Sequence, residues 1–137
     1  MKKVYPVIFT KAKDVVLVEV PDLKIFTEGK NIENAIEMAR DAIGITGISM
    51  EDHDEAIPEA SEINEIDILK STFAKDGAGF ISLVDIDFLE YRRKADNKTV
   101  RRNVTLPNWL NREAEQAHIN VSRVLQEALM SRLGVPK

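Results

Sequence analysis

Cysteine is absent from the 137 residues, which excludes disulfides, thiolate metal sites and a cysteine nucleophile together. The only two histidines, His53 and His118, lie 65 positions apart, so no histidine-based metal site is expected. No apolar run approaches the roughly 18 residues that span a bilayer. Tyr5, Pro6 and the stretch from Thr10 to Asp14 interrupt what would be the apolar core of a signal peptide. The expectation is a soluble cytoplasmic protein with no membrane partner. Disorder is excluded as well: at 44% hydrophobic the chain is close to the globular average. Its length suits one core or two very small ones.

The net charge of -4 conceals an asymmetry. Residues 1–90 carry 9 Lys/Arg against 19 Asp/Glu, and residues 91–137 carry 10 against 4. Such segregation speaks to partners rather than to fold. It leads one to expect an anionic partner for the tail and a basic one for the body.

Along the body, Val4–Phe9 reads as a strand, with Pro6 marking an edge or a bulge. Lys11–Asp14 is a charged turn, and the β-branched run Val15–Val20 reads as a central strand completing a hairpin. Pro21-Asp22 ends it, and Lys24–Thr27 can form a third strand. Asn31 is a good N-cap, and Ile32, Ala35, Ile36, Ala39 and Ile43 make one apolar stripe of a helix ending at Gly44 and Gly47. Residues 51–67 are acidic and read as a loop. Ile66–Phe73 reads as a short strand and Phe80–Phe88 as another, and Tyr91–Asn97 reads as a linker. The body, residues 1–90, is thus a small sheet-plus-helix domain, and the fold class is α+β.

The tail, residues 98–137, differs in kind. Val100–Leu106 alternates in part: Val104 and Leu106 face one way, Arg101, Asn103 and Thr105 the other, and Arg102 breaks the apolar side. Pro107 suits a first helical turn, followed by Trp109, Leu110, Ala114 and Ala117 at helical spacing. Asn120, tolerant of the left-handed conformation, marks the break. Ser122 is the candidate N-cap of a last helix with Val121, Val124, Leu125, Ala128, Leu129 and Leu133 on its apolar face, stopped by Gly134 and Pro136. One strand and two short helices cannot bury this surface alone. A lone strand has open edges, so a two-fold dimer with an antiparallel ribbon is expected, its core Val104, Leu106, Trp109, Leu110, Leu125 and Leu129.

Such a ribbon fits the major groove of DNA. Arg101, Asn103 and Thr105 are the base-reading candidates, since Arg suits guanine, Asn adenine, and Thr either partner. Ser122 and Arg123, at a helix start with unpaired N–H groups, and Lys98 are the phosphate candidates. Residues 98–133 resemble a ribbon-helix-helix DNA-binding domain, although Asn120-Val121-Ser122 stands where that family has Gly-x-Ser/Thr/Asn. The body has a resemblance of its own. Tyr5, Pro6 and Phe9, then Pro21-Asp22-Leu23, Thr27 and Gly29, a helix with ENAIEMARDAI, and Pro58 and Ser61 are similar, in order, to the HicB family of antitoxins. Lys24-Ile25 replaces that family's Gly-Cys. The resemblance implies a partial ribonuclease-H-like fold for residues 1–90. It implies as partner a small basic HicA-type toxin that cleaves mRNA, with contacts somewhere in residues 1–90. It also implies an operator in double-stranded DNA through which the dimer represses its own operon.

Asp85 and Asp87 share one face of a strand and could in principle hold Mg²⁺, as in a nuclease, but a solvated face or a pair of toxin contacts is the favoured reading. No catalytic residue, metal or cofactor is assigned, and the protein is not expected to be an enzyme. Two alternatives stay open: a ligand-sensing ribbon-helix-helix repressor, and a metal-dependent nuclease.

Overall fold

The computed structural model describes residues 1–96 and 98–135. Asn97, the last position of the expected linker, and Pro136 and Lys137, with the expected helix stop at Pro136, lie outside the described residues. Contacts divide the chain into two compact units, Met1–Lys98 and Thr99–Lys137.

The first unit is built on an antiparallel sheet of four strands: β1 (Lys2–Lys11), β2 (Val16–Val20), β3 (Ile25–Gly29) and β4 (Ala78–Asp87), in the order β3-β2-β1-β4. A tight turn with the Ala12 N–H on the Val15 carbonyl joins β1 to β2. Pro6 is tolerated in an inner strand because β2 pairs only with residues 8–11 of β1. At Pro6 the strand has one neighbour, Leu83 of β4, so the missing N–H leaves no gap in a second ladder.

Alternation then separates the faces. Tyr5, Val7 and Phe9 of β1, Val16, Val18 and Val20 of β2, and Val84 and Ile86 of β4 point to one side and are buried. Helix α1 (Ile32–Asp52) covers them with Ala35, Ala39 and Ile43. Asn31 caps it as expected, accepting from the Asn34 N–H at 2.8 Å. The other sheet face carries Pro6, Ile8 and Thr10, also buried, beneath residues 62–76.

Three expectations for this unit need correction. Helix α1 does not end at Gly44 and Gly47 but runs to Asp52. Those glycines are packing positions: a Cβ at Gly44 would lie 2.7 Å from the Tyr91 ring, and one at Gly47 would strike Phe88. Tyr91–Asn97 is not an open linker, because as far as Ala95 it belongs to helix α2 (Phe88–Ala95). Asp87 caps that helix, accepting from the N–H groups of Leu89 and Glu90, while Arg92, Arg93 and Lys94 sit at its negative end. Ile66–Phe73 is not a strand. Two 3-10 turns, Ile63–Glu65 and Ile68–Lys70, occupy the region, the second held by Asp67 accepting from the Leu69 N–H.

The second unit contains α3 (Asn108–Gln116) and α4 (Val121–Leu133). Val100–Leu106 forms no strand in the single chain, since a ladder needs a second strand to satisfy its N–H and C=O groups. His118, not Asn120, takes the left-handed conformation, with φ 54°. Asn120 is the cap of α4, accepting from the Arg123 N–H at 3.1 Å, so Ser122 lies inside the first turn. Gly134, with φ 71°, ends the helix as expected. None of the described side chains of this unit is buried.

In an ordinary helix interior Gly→Ala adds roughly 1 kcal/mol of stability. At Gly47 the added methyl meets a buried aromatic ring, and such overpacking costs roughly 1–3 kcal/mol. Gly47→Ala should therefore lower the midpoint of urea or thermal unfolding, whereas an exposed helix position would gain.

Candidate functional site

The residues that carry the sequence motifs of the body meet at one junction. After β2 the chain makes a 3-10 turn, Pro21–Leu23, and reverses at Lys24 with φ 55°. The turn points Asp22 at Ser61, whose N–H and hydroxyl both donate to its carboxylate, at 2.9 and 2.5 Å. The Tyr5 hydroxyl donates to the Pro58 carbonyl at 2.7 Å, and Lys3 pairs with Glu59 at 3.1 Å. Thus the acidic segment after α1 is fastened to β1 and to the β2–β3 turn. These side chains build a scaffold; none is arranged around a reaction centre. Burial first, then the charges of Glu59 and Asp22, push the Tyr5 hydroxyl up to about 12. Tyr91 donates to Asp41 at 2.7 Å and is likewise pushed up to about 12, by burial and then by that hydrogen bond.

Asp85 and Asp87 are both committed. Arg40 of α1 passes the open edge of β4 to donate from Nε to the Asp85 carbonyl and from Nη2 to its carboxylate, each at 3.0 Å. The second of these bonds is the main cause holding the Asp85 carboxyl below its ordinary 3.8. Asp87 is held below that value by the Glu90 N–H first of all, and it also faces the N-terminal ammonium at 3.4 Å. Among the described residues no three His, Asp or Glu side chains are grouped to hold a metal ion. Glu51 and Asp52 accept from Arg92 at 3.1 and 3.0 Å, a pairing across two helices that no local sequence pattern could reveal. His53, at the end of α1, places Nδ1 2.7 Å from the Ser49 carbonyl and is exposed.

In the second unit Arg101, Asn103 and Thr105 are all exposed, on a segment with no secondary structure of its own. Lys98, just before it, is exposed too. Arg101 and Arg102 border a groove of about 540 Å³ with Ser122, Leu125, Gln126 and Leu129 of α4. The Arg123 N–H is already taken by the Asn120 side chain, and the Arg123 guanidinium pairs with Glu127 at 3.2 Å. Val104, Leu106, Trp109, Leu110, Leu125 and Leu129 are all exposed, Trp109 to 63%.

Two titrations check this geometry. The chain has two tyrosines, so native absorbance at 295 nm should rise near pH 12, and in denaturant near pH 10. Since both folded values are raised, the stability they contribute is complete below pH 10 and lost as pH climbs from there towards 12. Asp85 works in the opposite sense: its contribution is present above pH 3.8 and is lost as pH falls through the lower folded value. Asp85→Asn should therefore make the acid limb of unfolding shallower while leaving the alkaline limb unchanged.

Among curated proteins none matches this chain. Some solved structures do. A toxin-antitoxin complex from Streptococcus pneumoniae aligns with a TM-score of 0.62 at 24% identity, over 96% of this chain and 99% of that one. The Burkholderia pseudomallei antitoxin HicB aligns with a TM-score of 0.53, also at 24% identity, over 96% and 97% of the two chains. At this identity the likeness concerns the fold. The family described as HicB_like antitoxin of bacterial toxin-antitoxin system matches residues 5–129, which include the Tyr5–Pro58 and Asp22–Ser61 junction and most of α4; the chain belongs to that family.

Proposed function

We propose that the first unit neutralises a HicA-type mRNA-cleaving toxin by direct binding, while the second pairs with its copy to form a ribbon-helix-helix repressor of the same operon. One observation carries both halves. An acidic unit with its own buried core is joined to a basic one whose apolar side chains are left uncovered. An acidic folded surface suits a cationic RNA-binding partner. The basic unit has amphipathic helices and no interior, and a second copy supplies one. Pairing Val100–Leu106 with its equivalent gives each strand the ladder it lacks and turns Arg101, Asn103 and Thr105 outward together. Lys98 and the start of α4 then lie at phosphate positions, with Arg123 contributing its side chain. The exposed, scaffold-bound carboxylates of the first unit favour inhibition by contact over catalysis.

The direct test is co-expression of the full chain with the protein encoded by the adjacent reading frame. A stable complex that abolishes that protein's ribonuclease activity is expected; free ribonuclease activity in the mixture would refute the reading. Assembly and DNA readout are tested on the full chain. Leu129→Asp should convert a dimer to a monomer in sedimentation while leaving the cooperative unfolding of the first unit in place. Arg101→Ala or Asn103→Ala should cost roughly 1–3 kcal/mol of discrimination between operator and scrambled duplex. Arg123→Ala should weaken both duplexes alike and flatten the salt dependence by about 0.9 in log–log slope per contact, about twice that in a dimer.

A further inference from the structure

We propose that the toxin-binding surface is the uncovered corner of the outer sheet face, where Val4 of β1 and Leu83 of β4 meet Ile63 of the first 3-10 turn. The inference rests on the antitoxin reading above and adds where on the first unit the partner sits. Residues 62–76 roof the outer face over Ile8 and Thr10, but the roof stops short of β4's second half. There Val4, Leu83 and Ile63 remain 44%, 55% and 43% exposed around a groove of about 560 Å³. Phe26 of β3, 54% exposed, stands edge-on to Phe73, whereas these three side chains line a groove, and a contiguous apolar patch of this kind marks an interaction site.

Charge settles the class of occupant. The groove's outer wall is residues 60–64, which contribute Glu62 and no cation, within a segment 51–67 that carries eight carboxylates and no lysine or arginine. Asp85 stands beside the patch, opposite Val4 in the register. Of the nearby cations, Lys3 is held by Glu59 and Arg40 by Asp85, leaving Lys2 at the far end of the face. An apolar centre with an acidic surround fits a positively charged protein surface presenting an apolar side chain at its middle. Continuation of the sheet is disfavoured at this end, because Arg40 occupies the outward carbonyl of Asp85. The partner therefore docks on the face of the sheet.

The test uses the full chain, with the protein encoded by the adjacent reading frame as the probe. Leu83→Arg places a cation in the centre of the patch and, because Leu83 is exposed, should leave the melting temperature unchanged. It should weaken binding about tenfold or more, as expected for a central contact. Asn64→Arg, in the exposed turn at the rim, should slow association a few-fold, and more so at low salt. Ile45→Arg, on the helix layer and equally exposed, should stay within about twofold of wild type. If wild type binds and Leu83→Arg binds as tightly, this surface is wrong and the antitoxin reading stands. If wild type does not bind the neighbouring protein, both fall. If Leu83→Arg reduces self-association of the full chain while partner affinity is unchanged, the corner is a contact between copies and the proposal is overturned.

Discussion

A four-stranded sheet has two faces, and this chain brings a long helix to only one of them. Helix α1 covers the inner face closely because Ala35 and Ala39 let its backbone approach. The outer face must then be covered by segments with no regular structure. Such segments lack the ladder hydrogen bonds that would hold them in place, so side chains do it: Asp22 on Ser61, and Glu19 on Ser71 and Thr72. Most of the polar motif residues of the first unit are explained by this one need.

The same need explains why the covering is incomplete. Each fastening lies on β2 or on the turn that follows it; among these bonds β4 provides none. Coverage ends where the fastenings end, and the apolar side chains beyond them stay in water. The neighbouring carboxylates Asp85 and Glu59 are held in ion pairs, which fixes their position without cancelling the acidity of the surface.

Local patterns served where they reported local physics. Val15–Val20 is apolar at every position but Glu19 and lies inside the sheet; Asn31 caps a helix because its side chain reaches an N–H three residues on. The sequence misled where a residue answered to a distant one. Gly44 and Gly47 look like helix ends, yet they are hollows for rings more than forty residues away. Phe88 and Tyr91 make too short a stripe to announce a helix, and Asp87 shows as its cap only once the strand before it is placed. Asp85 and Asp87 share a strand face as alternation requires, but no pattern within the strand foretells that Arg40 and an N-terminal ammonium claim them. The order of motifs across the chain carried what spacing could not, because it reflects the assembled unit.

The absence of buried side chains among the described residues of the second unit has a consequence in mass action. The first unit encloses its own core, so its folding is unimolecular and indifferent to dilution. A segment without an interior takes its order from whatever molecule covers it, and that order follows the covering molecule's concentration. One polypeptide therefore joins two concentration regimes. In the proposed dimer, scarcity of the protein loosens the basic segment first and opens it to proteases, while the acidic unit persists.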